Sequence, residues 1–269
     1  MAQQEPAQAS QQARAFAVAL AELARTERLL IALDFDGTLS PLVDSASEAR
    51  VLPEAAEALD TLKKLPNTWV AYVSGRPLES LVRIAMADDD VLLIGSHGDE
   101  VRLGNRVQEL GLADEERRRL TALDSALTAL IEATPDSMLE HKPVGLGVHT
   151  RLVDPAAVPA LHEAARAAAD AIGGFVVREG KDILEFTVRD ATKGEGVERL
   201  RTYTNASAVL YAGDDVTDED AFVVMRERDL GVKVGDGDTA AQYRVADPHA
   251  VGVMLTLLAG AREQWATRP

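Results

Sequence analysis

Leu29-Leu30-Ile31-Ala32-Leu33-Asp34-Phe35-Asp36-Gly37-Thr38-Leu39-Ser40-Pro41 is the stretch from which the rest of the chain can be read. Five apolar residues in a row predict a strand covered on both faces, as in a parallel sheet lying between helix layers. The run ends in two carboxylates, Asp34 and Asp36, followed by Gly37 and Thr38, which permit a turn. Ligands of open α/β sheets bind beyond the carboxyl ends of the strands. Two acids so close together repel each other unless a cation or a proton lies between them. A helix cap and a turn account for one such acid, but poorly for both.

The same pattern recurs outward from this strand. Trp69–Val73 reads as a strand ending in Ser74-Gly75-Arg76-Pro77, and 91–94 as another ending in Gly95-Ser96-His97-Gly98. Apolar spacing predicts a packing helix over 13–28, after ten residues expected to be disordered, and Pro53 opens a helix to residue 65. Toward the C-terminus, Lys193-Gly194 opens a helix to about Tyr203, and the strand 208–212 runs into Gly213-Asp214-Asp215-Val216-Thr217-Asp218-Glu219-Asp220. A lysine at a helix start opposes the macrodipole, so Lys193 is expected to face an anion. Thr217 with Asp220 fits a capping box, which leaves Asp214, Asp215 and Asp218 unexplained. Leu230–Val234 is a last inner strand, and Asp247-Pro248 caps a C-terminal helix through Leu258. Strands alternating with helices predict an α/β fold, a parallel-sheet core with helices on both faces.

Between residues 109 and 188 the pattern changes to helix–hairpin twice over: helix 114–133, strands 137–142 and 146–153, helix 155–172, strands 175–178 and 183–188. This predicts an inserted α+β cap domain with an open antiparallel sheet, flanked by core segments 1–108 and 189–269. Linkers are expected near Asn105–Leu112 and Val188–Thr192. Strand alternation sends Leu146, Val148, Thr150 and Leu152 one way and Gly147, His149 and Arg151 the other. The polar set Glu140, Lys142, His149, Arg151 and Glu185 then shares one open face. Cross-strand ion pairs on a solvated surface would explain it, and so would a binding surface, which the two glycines facing the same way favour.

Composition excludes several classes. A net charge of −16 and a pI near 4.7 argue against nucleic acid as a partner. The absence of cysteine removes disulfides, thiolate metal sites and a cysteine nucleophile. No secretion signal is visible at the N-terminus, and no apolar run reaches the roughly 20 residues of a membrane span. A cytoplasmic protein without a membrane partner is expected, with a monomer favoured.

Four strand ends thus supply two acids, a Ser-Gly-Arg, a lysine and an acid cluster, a set suited to phosphoryl transfer. Asp34 is the natural nucleophile toward a phosphomonoester, giving an acyl phosphate. Asp36 is placed to protonate the leaving alkoxide and then activate water. Ser74 would donate to a phosphoryl oxygen and Lys193 would balance charge, while hard oxygen ligands of the Asp214 cluster suit Mg²⁺.

These residues carry a resemblance. Asp34-Phe35-Asp36-Gly37-Thr38-Leu39, Ser74, Lys193 and Gly213-Asp214-Asp215 resemble the four motifs of the haloacid-dehalogenase superfamily of aspartate-based phosphatases, and the insertion lies where that superfamily carries a type-2 cap. Stretches 34–41, 74–76, 95–98, 140–142, 149–151 and 213–220 resemble the trehalose-6-phosphate phosphatases more closely still, with Phe35 and Thr150 standing where that family often has Tyr. The resemblance implies release of phosphate from trehalose 6-phosphate, the last step of trehalose biosynthesis. It implies Mg²⁺ held by Asp34, Asp36, Asp214, Asp215 and Asp218, and catalysis by Asp34, Asp36, Ser74 and Lys193. It assigns the sugar phosphate to Arg76, His97, Glu219 and the cap residues Glu140, Lys142, His149 and Arg151, beside which Glu185 stands. The alternatives are a phosphatase for another sugar phosphate, such as sucrose 6-phosphate, a phosphomutase, or a receiver-like phospho-aspartate domain. The last needs neither Asp36 nor an inserted cap.

Overall fold

A computed structural model describes residues 5–43, 45–104, 106–109, 112–180 and 182–266. The chain divides into two compact units, Met1–Glu109 with Thr192–Pro269, and Leu110–Ala191.

In the first unit the elements run α1 (Glu5–Leu23), β1 (Leu29–Leu33), α2 (Pro53–Lys63), β2 (Thr68–Val73), α3 (Leu78–Ala85), β3 (Leu92–Gly95), β4 (Glu100–Leu103) and β5 (Arg106–Glu109). The second unit holds α4 (Asp114–Ala133), β6 (Met138–Lys142), β7 (Gly145–His149), α5 (Val158–Ile172), β8 (Val176–Gly180) and β9 (Ile183–Thr187). The chain then returns with α6 (Lys193–Thr204), β10 (Ala208–Gly213), α7 (Glu219–Val223), β11 (Leu230–Val234), β12 (Tyr243–Val245) and α8 (Pro248–Ala266).

The large sheet has the order β12-β11-β10-β1-β2-β3-β4-β5, parallel from β12 to β3 and antiparallel beyond. β1 lies at its centre, every residue buried, between β10 and β2. Alternation divides the strands between two cores: Leu29, Ile31 and Leu33 pack with residues of α1, α2, α3 and α8, and Leu30 and Ala32 pack with residues of α6 and α7. The expected doubly covered parallel sheet is therefore present.

Several expectations are corrected. Helix α1 begins at Glu5, because Ala and Gln in 7–12 are adequate helix formers and Pro6 is tolerated in a first turn; residues 1–4 lie outside the described set. Of the linker expected at 105–112, residues 106–109 are strand β5, paired with β4. Asn105, Leu110 and Gly111 lie outside the described residues. Among the described residues, no helix is long and apolar enough to cross a membrane.

The second unit is a four-stranded antiparallel sheet, β6-β7-β9-β8. Leu146, Val148, Leu184 and Phe186 pack with Leu123 and Leu127 of α4 and Leu161, Ala165 and Ala169 of α5, so both helices cover one face. β7 ends at His149 instead of continuing to Val153: Val153 N donates to Thr150 O at 3.0 Å and closes a turn. Leu152 consequently stands 77% exposed, and Arg151 lies in the turn, outside the strand alternation.

Candidate active site

Asp34 follows β1 directly, and its backbone N donates to Ala212 O of the neighbouring strand at 2.9 Å. The strand end is thereby pinned, with Asp34 buried. Gly37 takes φ of +79°, and a Cβ there would collide with the Asp214 carboxylate. Glycine is thus needed both for the turn and for the approach of the two acidic loops.

Lys193, the first residue of α6, is 3% exposed and reaches Asp34 Oδ1 and Asp218 Oδ1, both at 2.7 Å. The anion expected opposite this lysine is therefore a pair of protein carboxylates. Burial alone would push Lys193 down, but Asp34 and Asp218 more than offset it and hold it above the usual lysine value. Burial also pushes Asp34 well above the usual carboxylate range, with Lys193 opposing and Asp218 and Asp214 adding to the rise. Asp214 is raised mainly by burial too.

Asp218 is fully buried and accepts three further or shared contacts: Tyr211 Oη at 2.6 Å and Lys193 on Oδ1, and Asp215 N on Oδ2 at 2.9 Å. The last contact replaces the expected Thr217–Asp220 capping box. Helix α7 starts at Glu219, so Asp218, at the same spacing of three from Asp215, closes the turn, while Thr217 Oγ1 is buried without a hydrogen bond.

Asp34, Asp214 and Asp218 each offer an oxygen lying within 4.8 Å of the others, and Asp214 Oδ1 is buried without a hydrogen-bond partner. Three crowded carboxylates, two of them destabilised as anions, with one orphaned oxygen and only hard donors, fit a divalent cation such as Mg²⁺. Asp36 and Asp215, expected among the ligands, do not join this cluster. Asp215 is exposed, and Asp36 is held in a bidentate pair by Arg76, Nε to Oδ2 at 2.5 Å and an Nη to Oδ1 at 2.6 Å. Arg76 also donates to Ala46 O at 2.8 Å.

Ser74, 2% exposed, accepts from Arg76 N at 3.1 Å, which leaves its hydroxyl proton free to donate. Its carbonyl accepts from His97 N at 3.1 Å, and a Cβ on Gly75 would lie 2.5 Å from the His97 ring. His97 is thus laid against the Ser74–Arg76 turn, at a left-handed φ of 59°. Glu219, expected beside them, is instead engaged at the acid turn: Oε2 accepts from Ala240 N at 2.8 Å and Oε1 lies 3.8 Å from Lys233 Nζ.

On the second unit's sheet, Glu140, Gly147 and Glu185 stand in one register row, so the open face carries Glu140, Lys142, His149 and Glu185 together. His149 Nε2 lies 2.9 Å from Glu140 Oε2, and Lys142 contacts Glu185 directly and Glu140 at 3.8 Å. Burial pushes Lys142 below the usual lysine value, with Glu140 opposing. Sequence reasoning missed Tyr211 and Lys233. Both are polar residues near the carboxyl ends of otherwise apolar strands, the signal that had drawn attention to Asp34.

A buried carboxylate, a lysine bridging two acids and a hydroxyl at neighbouring strand ends define a class, the α/β phosphatases. The family can be stated as well: this chain belongs to the trehalose-phosphatase family, whose model, described as trehalose-phosphatase, matches residues 32–249. Trehalose-phosphate phosphatase B of Arabidopsis thaliana is 32% identical over 256 residues, covering 87% of this chain and 67% of that relative. The bifunctional trehalose-6-phosphate synthase/phosphatase of Thermoproteus tenax is 31% identical over 241 residues, covering 88% of this chain and 33% of its own length. Among solved structures, a trehalose-6-phosphate phosphatase of Aspergillus fumigatus superposes with a TM-score of 0.70 at 25% identity, over 91% of this chain and 97% of its own. A trehalose-6-phosphate phosphatase related protein gives 0.70 at 26% identity, over 87% and 99%.

Proposed function

We propose that the protein hydrolyses trehalose 6-phosphate to trehalose and inorganic phosphate, with Mg²⁺ and through an aspartyl-phosphate on Asp34. The observation that carries this reading is the buried Asp34–Lys193–Asp218 array with the orphaned Asp214 oxygen beside it.

Mg²⁺ held by Asp34, Asp214 and Asp218 would neutralise the charge of the phosphoryl group and of the acids around it. Asp36 and Asp215 belong to the expected ligand set, but their carboxylates are not in the cluster. An Asp34 carboxylate oxygen forms a bond to phosphorus as the bond from phosphorus to the sugar oxygen breaks. Lys193 keeps Asp34 oriented and offsets charge. Ser74 donates its hydroxyl proton to a phosphoryl oxygen. Asp36 supplies the proton to the departing sugar oxygen and then takes one from the water that attacks phosphorus, which breaks the acyl phosphate and restores Asp34. Arg76 occupies both oxygens of Asp36, so this step requires the guanidinium to yield one of them.

The phosphoryl site recognises no sugar. Selectivity is assigned to the Glu140, Lys142, His149 and Glu185 face, with Arg151 in the adjoining turn, whose donors and acceptors suit a polyhydroxylated ligand. Arg76, His97 and Glu219 belong to the same assignment on the first unit. A site built to pair hydroxyls discriminates strongly against analogues that leave its groups unpaired.

The test is a panel of sugar phosphates assayed for phosphate release with the wild type, Glu140→Ala and Lys142→Ala. The wild type should prefer trehalose 6-phosphate over glucose 6-phosphate and sucrose 6-phosphate. Each variant should lose kcat/KM on trehalose 6-phosphate by roughly tenfold or more, the loss of at least one hydrogen bond to a charged group, with para-nitrophenyl phosphate changed far less. Equal losses on both substrates would make the face structural, and a wild type preferring sucrose 6-phosphate would overturn the substrate assignment.

A further inference from the structure

Strand β11 reads Leu230-Gly231-Val232-Lys233-Val234, an apolar strand with one charge in it. Val232 and Val234 join the larger core. Lys233 points to the opposite side and is 4% exposed. Its Nζ donates to Asp214 O at 2.5 Å and approaches Asp215 O at 3.4 Å. The nearest carboxylate oxygen recorded for it is Glu219 Oε1, at 3.8 Å. In the parallel ladder Lys233 stands opposite Gly213, so the ammonium reaches the main chain of the turn that follows β10.

A buried ammonium is kept only where it is compensated, and here the shortest contacts are neutral backbone carbonyls rather than an acid. Those carbonyls belong to Asp214 and Asp215, at the turn that delivers Asp214 to the acid cluster. An apolar residue at 233 would leave the Asp214 carbonyl without this donor. Asp214 also has one carboxylate oxygen with no hydrogen bond, so that oxygen holds the side chain in no fixed direction.

We infer that Lys233 is a positioning residue for the metal-binding turn: by gripping the main chain of Asp214 and Asp215, it aims the Asp214 carboxylate at Asp34 and sets the affinity of the site for the cation. It touches neither substrate nor reacting atoms. The inference rests on the reading of Asp34, Asp214 and Asp218 as a divalent-cation site.

Calorimetric titration of Mg²⁺ into the metal-free wild type, Lys233→Gln and Lys233→Met tests it, alongside the melting temperature of each in EDTA. The glutamine amide retains donors on a shorter stem, and methionine retains only bulk. Mg²⁺ should bind the wild type, bind Lys233→Gln several-fold more weakly and bind Lys233→Met at least tenfold more weakly. If Lys233→Met does not fold, Lys233→Gln decides. Unchanged Mg²⁺ affinity in a folded variant overturns the inference, and a lowered EDTA melting temperature alongside it marks a purely structural lysine. A wild type that binds no Mg²⁺ overturns the metal reading itself, and the inference with it.

Discussion

Replacing Lys193 with methionine should destabilise the metal-free protein more than any single surface change, and the structure says by how much. The ammonium makes two charge-assisted contacts of 2.7 Å to Asp34 and Asp218, whose side chains are 5% and 0% exposed. Screening by solvent is therefore slight. Removing one partner of a buried ion pair costs about 3–5 kcal/mol, because the other charge remains buried and uncompensated. Against a total stability of about 5–15 kcal/mol this is a large fraction, and at about 2–4 °C per kcal/mol it lowers the melting temperature by about 6–20 °C. Asp34 already has its pKa raised by burial, and losing Lys193 removes the main opposing influence. An acid whose folded pKa lies above its unfolded value contributes stability at low pH that is lost as the pH rises through the folded pKa. The deficit of Lys193→Met should therefore widen as the pH rises from the acid range through neutrality, and narrow at strongly alkaline pH, where the wild type loses the stability carried by the raised Lys193 value. Adding Asp34→Asn removes the stranded charge and should restore at least about 1 kcal/mol, a coupling measurable in a double-mutant cycle. Urea denaturation in EDTA at several pH values measures both effects. A loss below about 1 kcal/mol, or no recovery in the double variant, would refute the account of this array as a buried, mutually compensated set.

Two other outcomes follow from the same geometry. Asp34→Asn alone should abolish turnover while leaving the metal-free fold at least as stable as wild type, since it neutralises an acid that burial disfavours as an anion; Asp36→Asn should be crippled on sugar phosphates but retain some aspartyl-phosphate formation on substrates with good leaving groups, read by trapping the labelled intermediate. In the second unit, a two-point hydrogen bond from Arg189 at 2.8 and 2.6 Å holds Glu116 down to about 2, from an ordinary 4.5. That stabilisation is complete above the ordinary value and is lost as the pH falls toward 2, so the melting temperatures of wild type and Glu116→Gln should differ at neutral pH and converge in acid. A difference that persists undiminished at the acid end would sink this assignment.

The core and the polar groups at its strand ends were legible because each signal is local. β1 and β10 are continuous apolar runs, and Asp34, Ser74 and Asp214 sit within a residue or two of their strand ends. β4 and β5 were not legible. Glu100-Val101-Arg102-Leu103 is short and half polar, and its extended state comes from antiparallel pairing with β3, a tertiary effect that no propensity reports. The pair Arg76–Asp36 spans 40 residues and depends on how two loops meet. The capping assignment erred for a different reason: Thr217/Asp220 and Asp215/Asp218 offer the same spacing, and only the point where α7 begins decides between them. On the second sheet, period-two alternation placed Glu140, Lys142, His149 and Glu185 together, and it failed at Arg151 because the turn at Thr150 ends the strand first.

Charge balance connects these pieces. The protein carries a net charge of −16, so at long range it repels an anionic substrate, although a Debye length of about 8 Å confines that repulsion to its neighbourhood. What an arriving phosphate meets is the local set. Among the inner groups, Asp34, Asp36, Asp214 and Asp218 face Lys193, Arg76 and Lys233, four carboxylates against three cations. Fully ionised, that set has a charge of 3 − 4 = −1, which repels a phosphate dianion. The raised pKa values of Asp34 and Asp214 come chiefly from burial, with the neighbouring acids adding to the rise. A divalent cation held by Asp34, Asp214 and Asp218 would offset this excess without protonating Asp34, which on the proposed mechanism attacks phosphorus as a carboxylate. On the proposed mechanism, protons and a divalent cation would compete for one set of oxygens, and only the cation would leave Asp34 ionised.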